Sequence, residues 1–382
     1  MKRKKVLIVS YYLNLRDTDR CYTVLKYFNE RKYDVKLLCG NYDHNSKTKV
    51  HYDIDVAEEI DVIPYKKNMS LTRMISAWKF GLNAKKRIKN IEADIIYVVG
   101  PPNSTAYLLR KTAKKKKAFF VSDIYDLYPE TIPFNKTIKK VANICGFWWW
   151  SYLRNSVINK CDCFIGSCKY YFTLLNLKEG EKLKVIPLCK SEKSIRRTEI
   201  LDTDKLNILY LGALTGNYDF EGLVTLMEKI NKIKPAKLFI IGDGPRKEWI
   251  LKELDSRKIP YDFLGRVYDD DMKASVMKKC HFGFNGFKEN VAIALSYKSM
   301  EYMSNALALI NCCKEDTWDM VNKNNIGINY NHAIIDQVVE KICEFSPEEI
   351  FAMQNCAAIQ YDENFSYECY KEKMDELFEH KD

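Results

Sequence analysis

The chain has 382 residues, 47% of them hydrophobic and 29% charged, a balance that excludes a disordered polypeptide. No apolar run approaches the roughly 20 residues that span a bilayer, and thirteen cysteines without framework spacing indicate reduced cytosolic thiols rather than a disulfide scaffold. The net charge of +10 is uneven: residues 1–190 hold 36 Lys and Arg against 18 Asp and Glu, and the remainder 25 against 33. The first half is thus suited to an anionic partner, with nucleic acid, phosphorylated lipid and a membrane surface all candidates.

A chain this long exceeds one ordinary core, so two domains are expected. It opens "MKRKKVLIVSYY", basic then apolar like a secretory leader. It lacks a small-residue cleavage site and runs into charges, so it reads as a first strand. Further strand candidates follow at "YDVKLLC", "IDVIPY", "DIIYVVG", "KAFFVSDIY", "CFIGSC" and "KVIPL", separated by mostly helix-like segments. This alternation predicts a parallel sheet covered by helices on both faces.

Within that half, "VVGPPNSTA" ends a strand with Asn103 and Ser104 as polar lining or helix caps. "VSDIYDLYPETIP" ends another, with Asp123 read as a cap or turn residue and Asp126 either as the same or as a carboxylate open to a ligand hydroxyl. Next comes "GFWWWSYLR", residues 146–154. Successive helical residues point about 100° apart, so Phe147, Trp148, Trp149 and Trp150 cannot all be buried on one face. Lys136, Lys139 and Lys140 precede this run and Arg154 ends it, a mixture suited to a lipid headgroup layer. Burial of the helix on all sides is the competing reading.

The polar, aperiodic segment 191–205 is the predicted linker, dividing a domain of residues 1–190 from one of residues 206–382. The second series of strands is "LNILYLGAL", "AKLFIIGDG", "YDFLGRV", "HFGFNGF" and "ALALINCC". Small residues at Gly212, Ala213, Thr215 and Gly216 follow the first of these, and Gly242 and Gly244 the next. Such turns let backbone amides approach phosphate, although a tight strand-to-helix turn explains them equally well. In "ALSYKSMEYMSNALALINC", Lys298 and Glu301 are three apart and so share one side of a helix. The helix start could hold a diphosphate, while a surface ion pair is the plainer reading. Tyr297, Met300 and Tyr302 read as packing residues.

In order and spacing, residues 206–313 resemble the retaining glycosyltransferases of the GT-B fold, family 4. The matching parts are the glycine loop after the first strand, the "GDGP" turn, Phe263-Leu264-Gly265, "HFGFNGF", Glu301 and "ALALINC". "DLYPE" is similar to a segment of aminosugar transferases of bacterial surface-polysaccharide synthesis. The resemblance implies an α/β chain of two doubly wound domains with a cleft between them. It implies a hexosyltransferase moving a sugar, with retention, from a nucleotide-sugar donor to a polyprenyl-diphosphate-linked saccharide. The setting would be capsule, exopolysaccharide or O-antigen synthesis, peripherally on the cytoplasmic face of the membrane, without cofactor, metal or nucleic acid.

By the same resemblance Glu301 would bind ribose, while Ser296, Tyr297 and Lys298 would meet the diphosphate. Gly265 to Val267 would line the base pocket, with Arg266 near phosphate, and Asn285, Gly286 and Phe287 would approach the sugar. Asp126, Lys298 and Glu301 are the catalytic candidates. Two positions depart from the family pattern. Ile293 replaces the first glutamate of E-x7-E, and "ALTGN" lacks the usual cation. Acidic clusters at Asp17/Asp19, Asp202/Asp204 and Asp269–Asp271 are read as loop, linker and helix-start residues. A sugar-nucleotide epimerase of similar fold and a non-catalytic partner subunit are the alternative functions.

Overall fold

The computed structural model describes residues 3–16, 18–132 and 147–378. These divide into two compact α/β units, residues 1–190 with 370–382, and residues 191–369.

The first unit's strands are β1 (Lys5–Ser10), β2 (Asp34–Gly40), β3 (Tyr42–Asp43), β4 (Thr48–Lys49), β5 (Ala57–Ile60), β6 (Ile95–Gly100), β7 (Phe119–Ile124), β8 (Cys163–Gly166) and β9 (Leu183–Val185). Seven of them form a parallel sheet in the order β5-β2-β1-β6-β7-β8-β9, while β3 and β4 make a separate hairpin. Central β6, "IIYVVG", is buried throughout, as a strand covered by helices on both faces must be. The strand expected at "IDVIPY" lies earlier, because Leu37–Gly40 pairs with Ala57–Ile60.

The second unit holds β10 (Leu206–Leu211), β11 (Ala236–Ile241), β12 (Tyr261–Gly265), β13 (Phe282–Asn285), β14 (Ala308–Asn311) and β15 (Gly327–Asn329). They form a parallel sheet in the order β12-β11-β10-β13-β14-β15. The helix Phe220–Ile233 shows how sequence builds the flanking layers. Asp219 caps it through Gly222 N, and Phe220, Leu223, Val224, Met227 and Ile230 form the buried stripe.

Two segments group differently from the expected division. Residues 191–205 pack on the second unit: Arg197 donates to the carbonyls of Met277 and Cys280 at 2.7 and 2.9 Å, and Ser194 Oγ to Asp362 at 2.8 Å. From Tyr370 onward, the last helix belongs to the first unit. There the Tyr370 ring faces the Arg20 guanidinium at 5.2 Å, Asp375 accepts from Tyr27 Oη at 2.9 Å, and Phe378 meets Phe28 edge-on.

Candidate functional site

In the second sheet the strand order turns back between β10 and β13. They pair only at Ile208–Phe282 and Leu209–Gly283 and then separate, which makes this the topological switch point, where doubly wound folds bind ligands in a crevice. Tyr302 wedges the split open: its hydroxyl accepts from Leu211 N at 2.8 Å and donates to Phe284 O at 3.3 Å. Its ring lies where a Cβ on Gly283 would stand, 2.4 Å from that position.

The loops ending β10, β11 and β12 stack beside this crevice. Gly212 N donates to Ile241 O, Gly242 N to Gly265 O, and Leu214 N to Asp243 O. Gly212, Gly242, Gly244 and Gly265 all have positive φ, and a Cβ on Gly242 would sit 1.9 Å from Gly212 O. Thr215 is half-buried and Gly216 exposed. Arg266 is exposed and lies 3.5 Å from Asp243.

The helix Tyr297–Ser304 starts at the crevice, with Ser296 as N-cap in a capping box with Ser299. Lys298 is buried, and its Cε lies 3.2 Å from where a Cβ on Gly212 would be. Its ammonium lies 3.9 and 3.6 Å from the ring centroids of Tyr210 and Tyr218 and 5.7 Å from that of Phe287. Among the described residues Nζ has no hydrogen-bond partner. Desolvation lowers its pKa well below the usual 10.5, with Cys313 and Cys312 opposing that shift. Aromatic faces surround this amine, and an entering anion would favour its protonated form.

The folded form favours the neutral amine, whereas the unfolded chain binds the proton. The resulting destabilisation is present at neutral pH and is relieved as pH rises from the lowered value to about 10.5. Lys298→Met should therefore raise the urea midpoint at neutral pH and flatten this alkaline rise. Equilibrium unfolding across pH measures both.

Asn285 is fully buried, and its side chain is taken up by neighbouring strand ends. Its Nδ2 donates to Asn311 Oδ1 at 2.8 Å, Asn311 Nδ2 to Asn329 Oδ1 at 2.7 Å, and Ser296 Oγ to Asn285 Oδ1 at 2.8 Å. A ladder of amides thus joins the ends of β13, β14 and β15 to the helix start, and only the backbone beside Asn285 is left to meet a ligand. Gly286 fits closely, as a Cβ there would meet the Phe284 ring at 2.3 Å. Phe287 is buried against Tyr218. Val267 and Glu301 are half-buried, and Tyr297 is 42% exposed. Asp269 caps the helix Asp270–Lys278 through Met272 N. Sequence reading missed the roles of Tyr210, Tyr218, Tyr302, Asn311 and Asn329. The signal was an asparagine at or near three successive strand ends.

In the first unit, Asp123 is neither cap nor turn residue. It lies within β7, wholly buried, where it accepts from Arg20 Nε at 2.7 Å and Tyr97 Oη at 2.6 Å. Arg154 also faces inward rather than toward a lipid layer. It is 2% exposed and grips Glu130 with two bonds, of 2.5 and 2.8 Å, since a guanidinium is retained inside only when paired.

The helix Trp148–Ile158 exposes Trp148 at 55%, Trp149 at 38% and Tyr152 at 49%, while Trp150 stacks on Phe147 and is half-buried. Ring contacts run from Trp149 through Tyr152 and Tyr107 to Trp78 on the helix Leu71–Arg87. That helix exposes Leu71, Met74 and Ile75 as well. Lys136, Lys139, Lys140 and Asp17 lie outside the described residues. Asp126 is half-buried at the end of β7. Desolvation raises its pKa, while Arg73 and Tyr128 hold it down. Among the described residues, no helix is long and apolar enough to cross a membrane.

A comparison with curated protein sequences finds no match. Solved structures match along the whole chain. Sucrose-phosphate synthase from Thermosynechococcus elongatus is 13% identical over 99% of both chains, with a TM-score of 0.69. The lipopolysaccharide outer core galactosyltransferase WaaB is 14% identical over 99% of both, with a TM-score of 0.66. Anabaena HepE, solved with UDP and glucose, is 10% identical over 99% of this chain and 100% of its own, with a TM-score of 0.62. Residues 191–352 match the family model described as glycosyl transferases group 1. That match takes in the split between β10 and β13, the stacked glycine turns and the helix bearing Lys298, so this part of the chain is similar to group 1 glycosyl transferases, within a two-domain chain that has the GT-B fold.

Proposed function

We propose that the protein transfers a sugar, with retention, from a nucleoside-diphosphate donor to a saccharide carried on a polyprenyl diphosphate at a membrane surface. The observation that carries this reading is the crevice between β10 and β13. There a helix start offers positive potential to a departing diphosphate, and the buried Lys298, without a hydrogen-bond partner among the described residues, adds a charge when the arriving anion favours its protonated form. HepE, of like fold, was solved with UDP-glucose, which supports a nucleotide-sugar donor. The exposed Trp148, Trp149 and Tyr152, in a half of the chain rich in lysine, suit an interfacial face toward anionic lipid.

Purified protein is to be incubated with nucleotide sugars and vesicles containing a polyprenyl-diphosphate saccharide. Transfer to the lipid supports the proposal. Free epimerised nucleotide sugar would replace it with epimerase activity, and donor binding without turnover with a non-catalytic partner subunit. Glu301→Ala should weaken donor affinity at least tenfold, about 1.4 kcal/mol, by calorimetric titration; unchanged affinity removes Glu301 from the donor site. Trp148→Ser with Trp149→Ser should reduce flotation with anionic vesicles while circular dichroism stays unchanged.

A further inference from the structure

The first unit contains a second cavity, of about 170 Å³, small beside a site for a drug-sized ligand and suited to one monosaccharide ring. Its wall comes from the end of β1 (Tyr12, Asn14), the β3–β4 hairpin (Asp43, His44), Arg73 and the Asp126 turn. Tyr12, Tyr42, Tyr125 and Tyr128 supply most of the aromatic surface. A sugar ring has one face of C–H groups and a rim of hydroxyls. Tyrosine faces with a few placed polar groups match both.

The charges around this cavity run against those of the domain. Residues 1–190 carry twice as many basic as acidic side chains, yet the cavity is lined by Asp19, Asp43 and Asp126 against the single guanidinium of Arg73. His44 does not add a second cation at neutral pH, since burial first, then Arg73 and Lys47, lower its pKa to about 4. Arg73 is already engaged, donating from Nε to Tyr12 Oη at 2.9 Å and from Nη1 to Asn68 O at 2.7 Å. Asp43 is also used, accepting from the amides of Asn45 and Ser46, and Asp19 caps a helix through Tyr22 N. Asp126, by contrast, lines the cavity with Tyr128 as a hydrogen-bonding neighbour, and a carboxylate has more lone pairs than one such donor fills.

We propose that this cavity is a saccharide subsite that takes an uncharged or amine-bearing sugar ring, with Asp126 accepting from its hydroxyls, and rejects an acidic one. The inference rests on the transferase reading, since this ring would belong to the acceptor. Partly desolvated carboxylates repel a uronate or phosphate, whereas hydroxyl and ammonium groups satisfy them.

Saturation-transfer NMR on the full chain tests this with glucose, glucosamine and glucuronate, each with and without UDP. Glucose and glucosamine should saturate and glucuronate should not. Asp126→Asn should weaken binding of both at least tenfold. Asn45→Arg, on the exposed hairpin beside the cavity, should admit glucuronate. Equal binding of glucuronate by the unaltered protein, no sugar binding at all, or sugar binding indifferent to Asp126→Asn would each overturn the subsite. UDP binding, followed by thermal shift in the same samples, should be unchanged in both variants, and circular dichroism and urea unfolding that match those of the unaltered protein establish that the first unit folds. Loss of UDP binding by the unaltered protein would instead count against the donor reading and leave the sugar result to stand alone.

Discussion

Gly242→Ala should destabilise the second unit by about 4 kcal/mol, the sum of a strained positive-φ residue and an overpacked contact. Gly242 has φ of 144°, and its Cβ would lie 1.9 Å from Gly212 O, a backbone atom held by Gly212 N bonding to Ile241 O. Neither loop can retreat, because Leu214 N and Arg246 N bond across the same pair of turns. Urea unfolding should show a lower midpoint with little change in slope. Gly216→Ala, where nothing lies within 4 Å of the added Cβ, should change stability by less than about 0.5 kcal/mol. Equal effects at the two positions would show that crowding between the turns is unimportant.

The second large effect is expected at Arg20 and Asp123, whose side chains are 1% and 0% exposed. Burial works against the Arg20 charge, and Asp123, Tyr370 and Tyr97 together more than offset it, so the guanidinium pKa is raised. Nη2 also donates to Asp123 at 3.2 Å, and two further bonds run from Nη1 and Nη2 to the carbonyls of Pro187 and Ile186 at 2.8 and 3.0 Å. Arg20→Met leaves an uncompensated carboxylate in the core and should cost about 3–5 kcal/mol. Adding Asp123→Leu should recover much of that loss, because the pair is removed together with its desolvation. A double-mutant cycle by chemical denaturation reads the coupling. Additive losses would mean that the two charges are satisfied independently.

Much of the second unit was legible because periodicity and punctuation agreed. "LNILYLGAL" and "AKLFIIGDG" each join an apolar strand to glycines, and those strands and turns fall where the sequence places them. What stayed hidden depended on partners distant in sequence. Nothing local distinguishes Tyr302 from a packing tyrosine, yet its hydroxyl bridges Leu211 and Phe284 on strands that diverge. Lys298 and Glu301 lie on one helix as spacing required, but spacing could not show that Lys298 is enclosed by Tyr210, Tyr218 and Phe287. Arg154 misled for a similar reason: beside three tryptophans it suggested a lipid-facing cation, while its partner Glu130 stands 24 residues earlier.

The tail that begins at Tyr370 bears on how the protein is made. A ribosome releases the first strands long before the residues that pack on Tyr27, Phe28 and Phe119, since these rings meet Tyr370 or Phe378. The second unit, contained within residues 191–369, has all its parts before the first has its last helix. Domains commonly fold in the order of synthesis. Here the domain begun first is finished last, and its aromatic flank stays uncovered in the nascent chain until the final turns of the tail emerge.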